Sequence, residues 1–466
     1  MKNIELSKAL DYIDRIHEIV LQKYDTQPKA LVRTFGCQQN VSDSEYIKGM
    51  LEKMGYVLTE EVDKADFILY NTCAVREHAE DRAFGNIGAL KAYKEKNPDL
   101  IIAMCGCMVS QPAAAEKIKN SYPYVSLAFG TNMLERFPEM LYKFMRNRKR
   151  VIDISGAAAA GDIVEGLPRH RDSSLKAWLP IMYGCNNFCT YCVVPLVRGR
   201  ERSRDYKSVV AEAEELVASG AKDITLLGQN VNSYGKGNSD GVYFPELLRM
   251  INDIKGDFRI RFMTSHPKDC SDELLKAMSE CSKVARHLHL PFQSGSDRIL
   301  KAMNRHYTSS DYLTLVEKAR SLMPDISLTS DIIVGFPGEE YEDFLKTVDI
   351  IKKVRFSMLF TFIYSKRNNT PAAKMEDKIS EAEKGRWFDE LLHEQEIISD
   401  EIMSGFIGKE LRVLCEGVKP KTNLLYGRAG NNMSVTFSGG EECTSKFVNV
   451  KITDFNHTVL KGEPIN

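Results

Sequence analysis

Three cysteines stand close together in the stretch "YGCNNFCTYC" at 183–192. Cys185, Cys189 and Cys192 have no fourth Cys or His nearby, whereas structural zinc takes four protein ligands, usually as two separated pairs. A cubane [4Fe–4S] cluster held by three thiolates keeps one iron open. An open iron can chelate an amine and a carboxylate, which the methionine end of S-adenosylmethionine offers. An electron from the cluster then cleaves a carbon–sulfur bond of that cofactor and yields a radical.

The position of this trio along the chain supports the cluster interpretation. Cys185 directly follows a predicted strand at 178–184. In barrels built from alternating strands and helices, functional groups lie at the carboxyl ends of the strands. Structural zinc and unrelated buried thiols remain the alternatives for these three residues taken alone.

A second set of thiols follows three separate predicted strands. "ALVRTFGC" ends in Cys37, "FILYNTC" in Cys73 and "IIAMCGC" in Cys107. In an open α/β sheet, the carboxyl ends of parallel strands border the crevice where ligands bind. Any one of these thiols alone would be typical of a buried structural cysteine, but three at equivalent places predict a second cluster with one open iron. Cys105 is an additional thiol beside Cys107.

The elements around these cysteines define a mainly α/β chain. Predicted strands at 29–35, 65–70 and 100–104 alternate with helices at 43–56 and 113–122, which predicts a doubly wound parallel sheet. From about 175 to 400 the alternation resumes, with a helix at 205–220 after the first strand of this region. The six predicted strands there are 178–184, 224–230, 260–266, 287–293, 328–336 and 358–365. Six such units are two short of a closed eightfold barrel, so we expect an open, partial barrel.

The last part of the chain loses the helical pattern. Five short apolar stretches separated by Gly-rich turns between about 404 and 466 predict a small closed β-barrel. This tail carries two more basic than acidic residues, although the whole chain has a formal net charge of −1. Basic clusters also stand at 143–150, 169–171 and 198–204. Each cluster alone is typical of a solvated surface, and together they indicate only moderately a polyanionic partner.

The chain has the composition of a cytosolic protein. Its 466 residues contain 11 cysteines, an odd number that argues against a disulfide framework. The N-terminus is charged throughout and follows helical spacing, which predicts an amphipathic helix and no signal peptide. No apolar run is long enough to cross a bilayer. The two His residues of "HLHL", His287 and His289, are expected to fill the barrel interior and not to bind metal.

Several motifs resemble those of the radical S-adenosylmethionine methylthiotransferases. The most specific are "GCNNFCTYCVVPLVRGRERSR" (184–204) and "GQNVNSYG" (228–235). Further matches are "FGCQQNVSDSE" (35–45), "HLHLPFQSGSDRILKAMNR" (287–305) and "TSDIIVGFPGE" (329–339). The sequence departs from the family pattern at four positions, which leaves details of substrate contact open: Gln39, Asn132, Asn368 and Asn369.

The resemblance implies an architecture of three domains. These are an N-terminal doubly wound parallel α/β domain, a central partial (β/α)6 TIM-like radical S-adenosylmethionine barrel and a C-terminal all-β TRAM barrel. The boundaries expected are 1–28 for an N-terminal helix, 29–150 for the N-terminal domain, 151–174 for a linker, 175–403 for the barrel and 404–466 for TRAM.

The resemblance also implies cofactors and site residues. Two [4Fe–4S] clusters are expected, one held by Cys185, Cys189 and Cys192 and used for catalysis, the other held by Cys37, Cys73 and Cys107, with Cys107 preferred to Cys105 by motif spacing. S-adenosylmethionine serves as both methyl donor and radical source. The residues expected around it are Tyr191, Gln229, Asn230, Gln293, Ser294 and Asp331. For each of the polar residues among them, barrel filling or helix capping is an equal alternative.

The implied reaction replaces a C–H bond by C–SCH₃ at C2 of N6-isopentenyl adenosine beside the tRNA anticodon. Other branches of the family act on threonylcarbamoyl adenosine in tRNA or on an aspartate of a ribosomal protein, and a non-catalytic iron–sulfur RNA-binding protein is the alternative from another class. The expected partners are the tRNA anticodon stem-loop, a reducing electron donor and a sulfur source, with a monomeric, cytoplasmic enzyme and no membrane. Candidate RNA contacts are Arg198, Arg200, Lys409, Lys419, Lys421 and Arg428.

Overall fold

The computed structural model describes residues 2–74, 77–154 and 163–465. The expected linker at 151–174 therefore lies partly outside the described residues. The helices are α1 (Lys2–Lys23), α2 (Gln38–Lys53), α3 (Glu77–Lys96), α4 (Pro112–Ser121), α5 (Phe137–Asn147), α6 (Val194–Val197), α7 (Tyr206–Ala218), α8 (Phe244–Asp253), α9 (Asp272–Glu280), α10 (Asp297–Ala302), α11 (Ser309–Leu322), α12 (Tyr341–Val354) and α13 (Glu381–Ser404).

The strands are interspersed with these helices up to the all-β tail. They are β1 (Lys29–Phe35), β2 (Val57–Leu58), β3 (Phe67–Thr72), β4 (Ile101–Gly106), β5 (Leu127–Phe129), β6 (Val151–Asp153), β7 (Lys176–Pro180), β8 (Met182–Tyr183), β9 (Arg202–Ser203), β10 (Asp223–Leu227), β11 (Arg259–Phe262), β12 (His287–His289), β13 (Ser327–Val334), β14 (Met358–Ile363), β15 (Glu410–Val418), β16 (Leu425–Ala429), β17 (Ser434–Phe437), β18 (Phe447–Asn456) and β19 (Val459–Pro464).

The chain forms two compact units, and both contain residues of the cysteine loop at 183–192. The first unit comprises residues 1–172, 182–186 and 192–204. The second comprises residues 173–181, 187–191 and 205–466.

The first unit is built on a parallel sheet with a core on each face. Among the described residues, its strands follow the order β2–β1–β3–β4–β5–β6. Successive residues of β1 face opposite sides, so Ala30 and Val32 belong to one apolar cluster and Leu31 to the other. Each large apolar side chain buried in these clusters stabilises the fold by roughly 1.5–3 kcal/mol. The expected doubly wound domain is thereby confirmed.

The structure differs from the sequence expectations at the end of this sheet. Strands β5 and β6 contain three residues each and were not predicted, and β6 falls within the range expected to be linker. It is a strand because Leu127 and Val151 stand in register and place one more apolar pair against the core. Beyond the undescribed 155–162, Leu167 packs on the same core. The described part of the expected linker is therefore attached to the first unit.

The second unit contains a partial barrel of parallel strands. Strands β7, β10 and β11 pair in the order β11–β10–β7, and β12, β13 and β14 pair in chain order. A parallel bridge between Ile260 and Val284 connects β11 to the segment that leads into β12. Helix α7 begins where the Asp205 side chain accepts a hydrogen bond from the Ser208 backbone N–H, as its sequence predicts. The six strand–helix units confirm the expected open barrel.

The tail closes into a small barrel in the order β15–β16–β17–β19–β18, as expected. Two buried arginines of β11 hold it against the partial barrel. Arg259 Nη1 donates to the Arg428 carbonyl (2.8 Å), and Arg261 Nη2 donates to the Ala429 carbonyl (2.9 Å). Burial of these guanidinium groups makes their hydrogen bonds to the tail stronger than surface contacts would be. The tail and the partial barrel therefore pack as one body within the second unit.

Two candidate cysteine sites

The first cysteine site lies at the carboxyl edge of the parallel sheet in the first unit. Cys37 follows β1, Cys73 follows β3 and Cys107 follows β4, and these three strands are neighbours in the sheet. Burial raises the pKa of the Cys107 thiol to about 12, with Cys73 and Cys37 contributing to the rise as neighbouring thiols. The structure thus brings together the three thiols that the sequence selected.

Hydrogen bonds fix the backbone that carries these thiols. Asn40 Nδ2 donates to Asn71 Oδ1 (2.9 Å), and the Cys37 thiol donates to Asn40 Oδ1 (3.2 Å). Gly106 has a φ of +102°, and a Cβ there would lie 2.3 Å from the Thr72 carbonyl. Only glycine permits this turn, which re-aims the chain between the end of β4 and Cys107.

Cys105 and Cys107 belong to different apolar clusters. Cys105 is part of the apolar core between the sheet and α2, whereas Cys107 contacts Ala74, Val193 and Val197. Side chains two residues apart on a strand share a face, but the turn at Gly106 breaks this rule. This placement supports the choice of Cys107, which stays a prediction for the ligand itself.

The sequence after the cysteine loop completes this edge of the first unit. Thr131 Oγ1 donates to the Val197 carbonyl (2.6 Å), and Asn132 Nδ2 donates to the Arg198 carbonyl (3.2 Å). Arg202 Nη2 in turn donates to Asn132 Oδ1 (3.1 Å). Asn132, one of the departures from the family pattern, therefore anchors the segment 197–202.

Arg198 does not lie where an RNA contact would. It is 3% exposed, and its Nη2 donates to Asp43 Oδ2 (2.9 Å), which is itself buried. The basic sequence "RGRERSR" suggested a surface cation, but the partner carboxylate stands 155 residues earlier in the chain and is invisible to local patterns. The expectation for Arg198 is corrected on this ground, while Arg200 is exposed.

The second set of cysteines is distributed between the two units. In the first unit, Cys185 and Cys192 are half-buried, and the Val194 backbone N–H donates to Cys192 Sγ (3.5 Å). Gly184 has a φ of +77°, and a Cβ there would meet the Arg200 carbonyl at 2.1 Å. The glycine before Cys185 is therefore required by the backbone of this loop.

In the second unit, Cys189 is buried beside a buried arginine. Arg305 Nη1 donates to Cys189 Sγ (3.5 Å), Nη2 donates to the Pro291 carbonyl (2.6 Å) and Nε donates to the Tyr307 hydroxyl (3.1 Å). Each of the three nitrogens of this planar guanidinium therefore donates to a different acceptor. Arg305 thus has a single orientation, and sequence reasoning did not select it.

The backbone around Cys189 is held by the rest of the second unit. The Thr190 N–H donates to the Met303 carbonyl (3.0 Å), and the Ala372 N–H donates to the Thr190 carbonyl (2.9 Å). Tyr191 packs against the apolar cluster that includes Met303 and Tyr364. The expected place of Tyr191 beside S-adenosylmethionine stays a prediction.

The polar residues expected around S-adenosylmethionine follow the barrel strands of the second unit. Asn230 Nδ2 donates to Asp269 Oδ2 (2.7 Å), whereas its buried Oδ1 has no partner among the described residues. Gln293 has a φ of +70°, and its N–H donates to the Asp331 carbonyl (3.0 Å). Gln229, two residues after β10, and Asp331, within β13, are half-buried.

Ser294 differs from these residues. Its hydroxyl is 1% exposed and lies 3.5 Å from Thr347 Oγ1 of α12. The next residue, Gly295, donates its N–H to the same threonine (2.8 Å). The Ser294 side chain therefore contacts the middle of α12, and its expected place beside S-adenosylmethionine stays a prediction.

Sequence reasoning missed three buried polar residues after β10 and β11. Within the described part of the chain, both amide atoms of Asn232, the Ser265 hydroxyl and His266 Nε2 lack a hydrogen-bond partner. Burial is the main cause that lowers the pKa of His266 to about 2, followed by the nearby Arg305. Buried polar atoms are normally satisfied, so unpaired ones fit a polar ligand in this region. Asn232 stands two residues after the predicted strand 224–230, and Ser265 and His266 end the predicted strand 260–266, so polar residues at strand ends were the signal that could have found them.

An apolar stripe on β14 was also missed. Met358, Phe360 and Phe362 alternate along the strand, and each is more than a third exposed. The Phe360 ring makes an edge contact with His289, the centroids being 5.6 Å apart. Both His289 and His287 are buried and pair with Thr329 Oγ1, as expected for residues that fill the barrel. Since His289 lies inside the barrel, the stripe faces the barrel interior.

The residues described show no set of three or more His, Cys, Asp or Glu side chains that converge as on a single metal ion. A cubane cluster binds each thiolate through a different iron, so its ligands stand farther apart than those of zinc. The first site brings three thiols from neighbouring strands, one fewer than the four protein ligands of structural zinc, and this number fits a cluster with one open iron.

The tail presents its candidate lysines at the surface. Lys409, Lys419 and Lys421 are exposed. Arg428, in contrast, is half-buried, and its Nη1 donates to the Asn432 carbonyl (3.1 Å) within the same barrel. The three lysines are therefore better placed for an external contact than Arg428.

Comparison with known proteins identifies the family. A protein of Acetivibrio thermocellus named tRNA-2-methylthio-N(6)-dimethylallyladenosine synthase is 51% identical over 463 residues, covering 98% of this chain and 96% of the relative. A protein of the same name from Clostridioides difficile is 48% identical over 464 residues, covering 99% and 97%. The chain belongs to this family.

Shorter matches and solved structures agree with the architecture. Residues 179–351 match the Radical SAM superfamily, 29–130 the Uncharacterized protein family UPF0004 and 406–465 the TRAM domain. The radical S-adenosylmethionine methyltransferase TsrM from Kitasatospora setae is 16% identical, with a TM-score of 0.55 over 75% of each chain. OxsB, a cobalamin-dependent radical enzyme, has a TM-score of 0.51 at 13% identity, covering 80% of this chain and 56% of OxsB. At these identities the likeness concerns the fold.

No helix in the described parts of the chain combines the length and apolar character needed to span a membrane.

Proposed function

We propose that the chain is a radical S-adenosylmethionine methylthiotransferase that converts N6-dimethylallyladenosine of tRNA into its 2-methylthio derivative. The observation that carries this proposal is the identity of about half of the residues with relatives of that name over nearly the whole chain. Two sets of three cysteines support it as candidate cluster ligands, one set after β1, β3 and β4 and the other in the loop between β8 and α6.

Cys185, Cys189 and Cys192 would hold one [4Fe–4S] cluster, and Cys37, Cys73 and Cys107 the other. When bound, the first supplies the electron that cleaves S-adenosylmethionine, and the second holds the sulfur that is delivered. The balance requires two molecules of S-adenosylmethionine. One donates its methyl group to the sulfur and leaves as S-adenosylhomocysteine. The other, reduced by one electron, would leave as methionine and 5′-deoxyadenosine after taking the C2 hydrogen. The C2 radical would then bond to the methylated sulfur, and the one electron released would pass to the cluster that had held this sulfur.

The chain's own residues bind and orient the organic cofactor. The unpaired atoms of Asn230, Asn232 and His266 are acceptors and donors for a polar ligand at the ends of β10 and β11. His266 stays neutral at physiological pH because its pKa is lowered, so it can both donate and accept without bringing charge. Burial of this region excludes water from reactive species.

The apolar stripe of β14 fits the substrate that the relatives' name describes. Adenine stacks on aromatic rings, and a dimethylallyl group has no polar atoms to satisfy. Phe360 and Phe362 offer such faces, with Phe360 in register with Asp331 of β13. A charged threonylcarbamoyl group would leave its carboxylate against these rings unpaired. The stripe therefore favours the dimethylallyl substrate over that alternative.

The proposal includes a reducing electron donor, a sulfur source, a monomeric state and a cytoplasmic location. The exposed lysines of the tail would contact the anticodon stem-loop through phosphates.

The decisive experiment is mass spectrometry of nucleosides from tRNA incubated with reconstituted, reduced protein. Substrate tRNA carrying N6-dimethylallyladenosine should gain the methylthio group, with 5′-deoxyadenosine and S-adenosylhomocysteine formed alongside. Product only from threonylcarbamoyl tRNA or from a ribosomal protein would move the chain to another branch. Failure to cleave S-adenosylmethionine at all would support a non-catalytic iron–sulfur RNA-binding protein.

A further inference from the structure

Arg198 stands out among the charged residues of the first unit because it is buried and lies next to thiols. Its side chain is 3% exposed, and its neighbour Val197 packs against Cys107. Its guanidinium pairs with Asp43, which lies on α2 six residues after Cys37. A permanent cation is thus placed at the edge where Cys37, Cys73 and Cys107 meet.

The ion pair that fixes Arg198 is itself part of this edge. Asp43 lies on α2, the helix that starts after Cys37, and it accepts from Arg198 Nη2 at 2.9 Å. Gln39 Nε2 donates to the other carboxylate oxygen of Asp43 (3.2 Å). Because both carboxylate oxygens are occupied, the aspartate cannot turn away from the guanidinium. Gln39, a departure from the family pattern, thereby contributes to the position of the cation.

The backbone of Arg198 is anchored as firmly as its side chain. Its carbonyl accepts from Asn132 Nδ2, and its N–H donates to the Val194 carbonyl (2.8 Å). Arg198 follows Cys192 by six residues, so the segment that continues from one cysteine set delivers a charge to the other. The function proposed above uses no residue in this way.

We propose that Arg198 is a positioning residue of the Cys37–Cys73–Cys107 site, where its charge stabilises the reduced, more negative state of the bound cluster. The proposal rests on the assignment of a cluster to these cysteines. Net charge, hydrogen bonding and burial set the reduction potentials of iron–sulfur clusters. The buried cation of Arg198 should therefore raise the midpoint potential of the cluster. The carboxylate of Asp43 should lower it, but by less.

The test measures the midpoint potential of the cluster bound by Cys37, Cys73 and Cys107, without S-adenosylmethionine or tRNA. The full chain carries Cys185→Ala, Cys189→Ala and Cys192→Ala, so that only this cluster contributes to the electron paramagnetic resonance signal. Arg198→Gln should lower the potential and Asp43→Asn should raise it. The double variant Arg198→Gln/Asp43→Asn should lie below Asp43→Asn, from which it differs only by the cation. Arg200→Gln, an exposed neighbour, is the matched control and should leave the potential unchanged.

Opposite shifts from the two partners are the signature of a charge effect, because a purely structural role would move both variants alike. Equal potentials for Asp43→Asn and the double variant would overturn the proposal. If Arg198→Gln loses its iron, Arg198→Lys decides: retained iron at the wild-type potential supports a need for the cation, and equal loss in both variants rejects it. Since no methylthiolation is measured, these outcomes are independent of whether the tRNA reaction is found.

Discussion

Arg198 and Arg305 are buried to similar extents, each beside a cysteine of a different set, yet their charges are balanced differently. Arg198 pairs with the buried carboxylate of Asp43 at 2.9 Å. Arg305 donates to a carbonyl, a hydroxyl and the Cys189 thiol, and in the described chain no carboxylate contacts it. Burying a guanidinium without an anion costs several kcal/mol.

The two sites therefore differ in whether the protein itself supplies a negative charge for the buried guanidinium. The Cys107 edge carries its own ion pair, so its buried cation already has a carboxylate partner before a ligand binds. Arg305 lies beside Cys189 as a cation without a carboxylate partner among the described residues, and the His266 ring, whose Nε2 is unpaired, lies 5.7 Å from the ring of its neighbour Tyr307. An anionic occupant, such as a thiolate-bound cluster and the carboxylate of S-adenosylmethionine, would supply the missing negative charge. We therefore expect the site beside Cys189 to bind an anionic ligand, because the described chain provides no carboxylate for Arg305.

Removing each cysteine set in turn gives the largest contrast between the sites. Replacement of Cys185, Cys189 and Cys192 by Ala should abolish 5′-deoxyadenosine formation and leave about half of the iron. Replacement of Cys37, Cys73 and Cys107 by Ala should leave cleavage of S-adenosylmethionine and abolish the methylthio product. Iron analysis and chromatography of both products check the result, and radical cleavage in the first variant would reverse the assignment.

The sequence predicted the strands that carry these cysteines because buried parallel strands form continuous apolar runs. It also predicted that Cys37, Cys73 and Cys107 follow neighbouring parallel strands, whose carboxyl ends lie at one edge of the sheet. The charges at the two sites could not be predicted in the same way. Arg198 finds Asp43, and Arg305 finds Cys189, across more than a hundred residues. Local patterns carry no information on such pairs.

The same limit explains the smaller errors. Strand β6 has only three residues, too few for alternation to show, and its place depends on pairing with β5. Ser294 stands in a strand-end motif, but Thr347 of α12 determines where its hydroxyl points. Tertiary contacts therefore decide which polar residues at strand ends face a ligand.

Single substitutions of Cys105 and Cys107 should show which of the two thiols binds the cluster and which only packs in the core. Cys107→Ser should lose about half of the iron, because its thiol is proposed as a ligand. Cys105→Ser should keep all iron but lose about 1–3 kcal/mol of stability, since a hydroxyl replaces a thiol buried in apolar surroundings. Iron content and thermal unfolding are the measurements, with Cys105→Ala as the control that avoids the polar atom. Full iron in Cys107→Ser and loss in Cys105→Ser would exchange the two roles.

Arg305 lies beside Cys189 and should therefore affect the rate of radical formation. Arg305→Gln removes the cation beside Cys189 and is expected to slow 5′-deoxyadenosine formation about 10- to 100-fold, the usual range for residues that support metal ligands. Arg305→Lys restores charge without the three-way hydrogen bonding and should recover part of the rate. Lys301→Gln, an exposed change on α10, is the matched control. An unchanged rate in Arg305→Gln would show that the site tolerates the loss of its cation.

The tail lacks any cysteine set, so its surface lysines should affect binding and not chemistry. Deleting the tail would unpack Arg259 and Arg261, whose guanidinium groups donate to its carbonyls, and point variants are the cleaner test. Replacing Lys419 and Lys421 by Gln should weaken tRNA binding and reduce its salt dependence by about one unit of slope for each phosphate that is no longer neutralised. Substrate-free cleavage of S-adenosylmethionine should stay unchanged.

Lys276→Gln on the outer helix α9 is the control, since that exposed lysine lies outside the tail. Binding with unaltered affinity and salt slope would exclude these two lysines and leave the exposed Arg200 and the basic segment 143–150 as the remaining candidates.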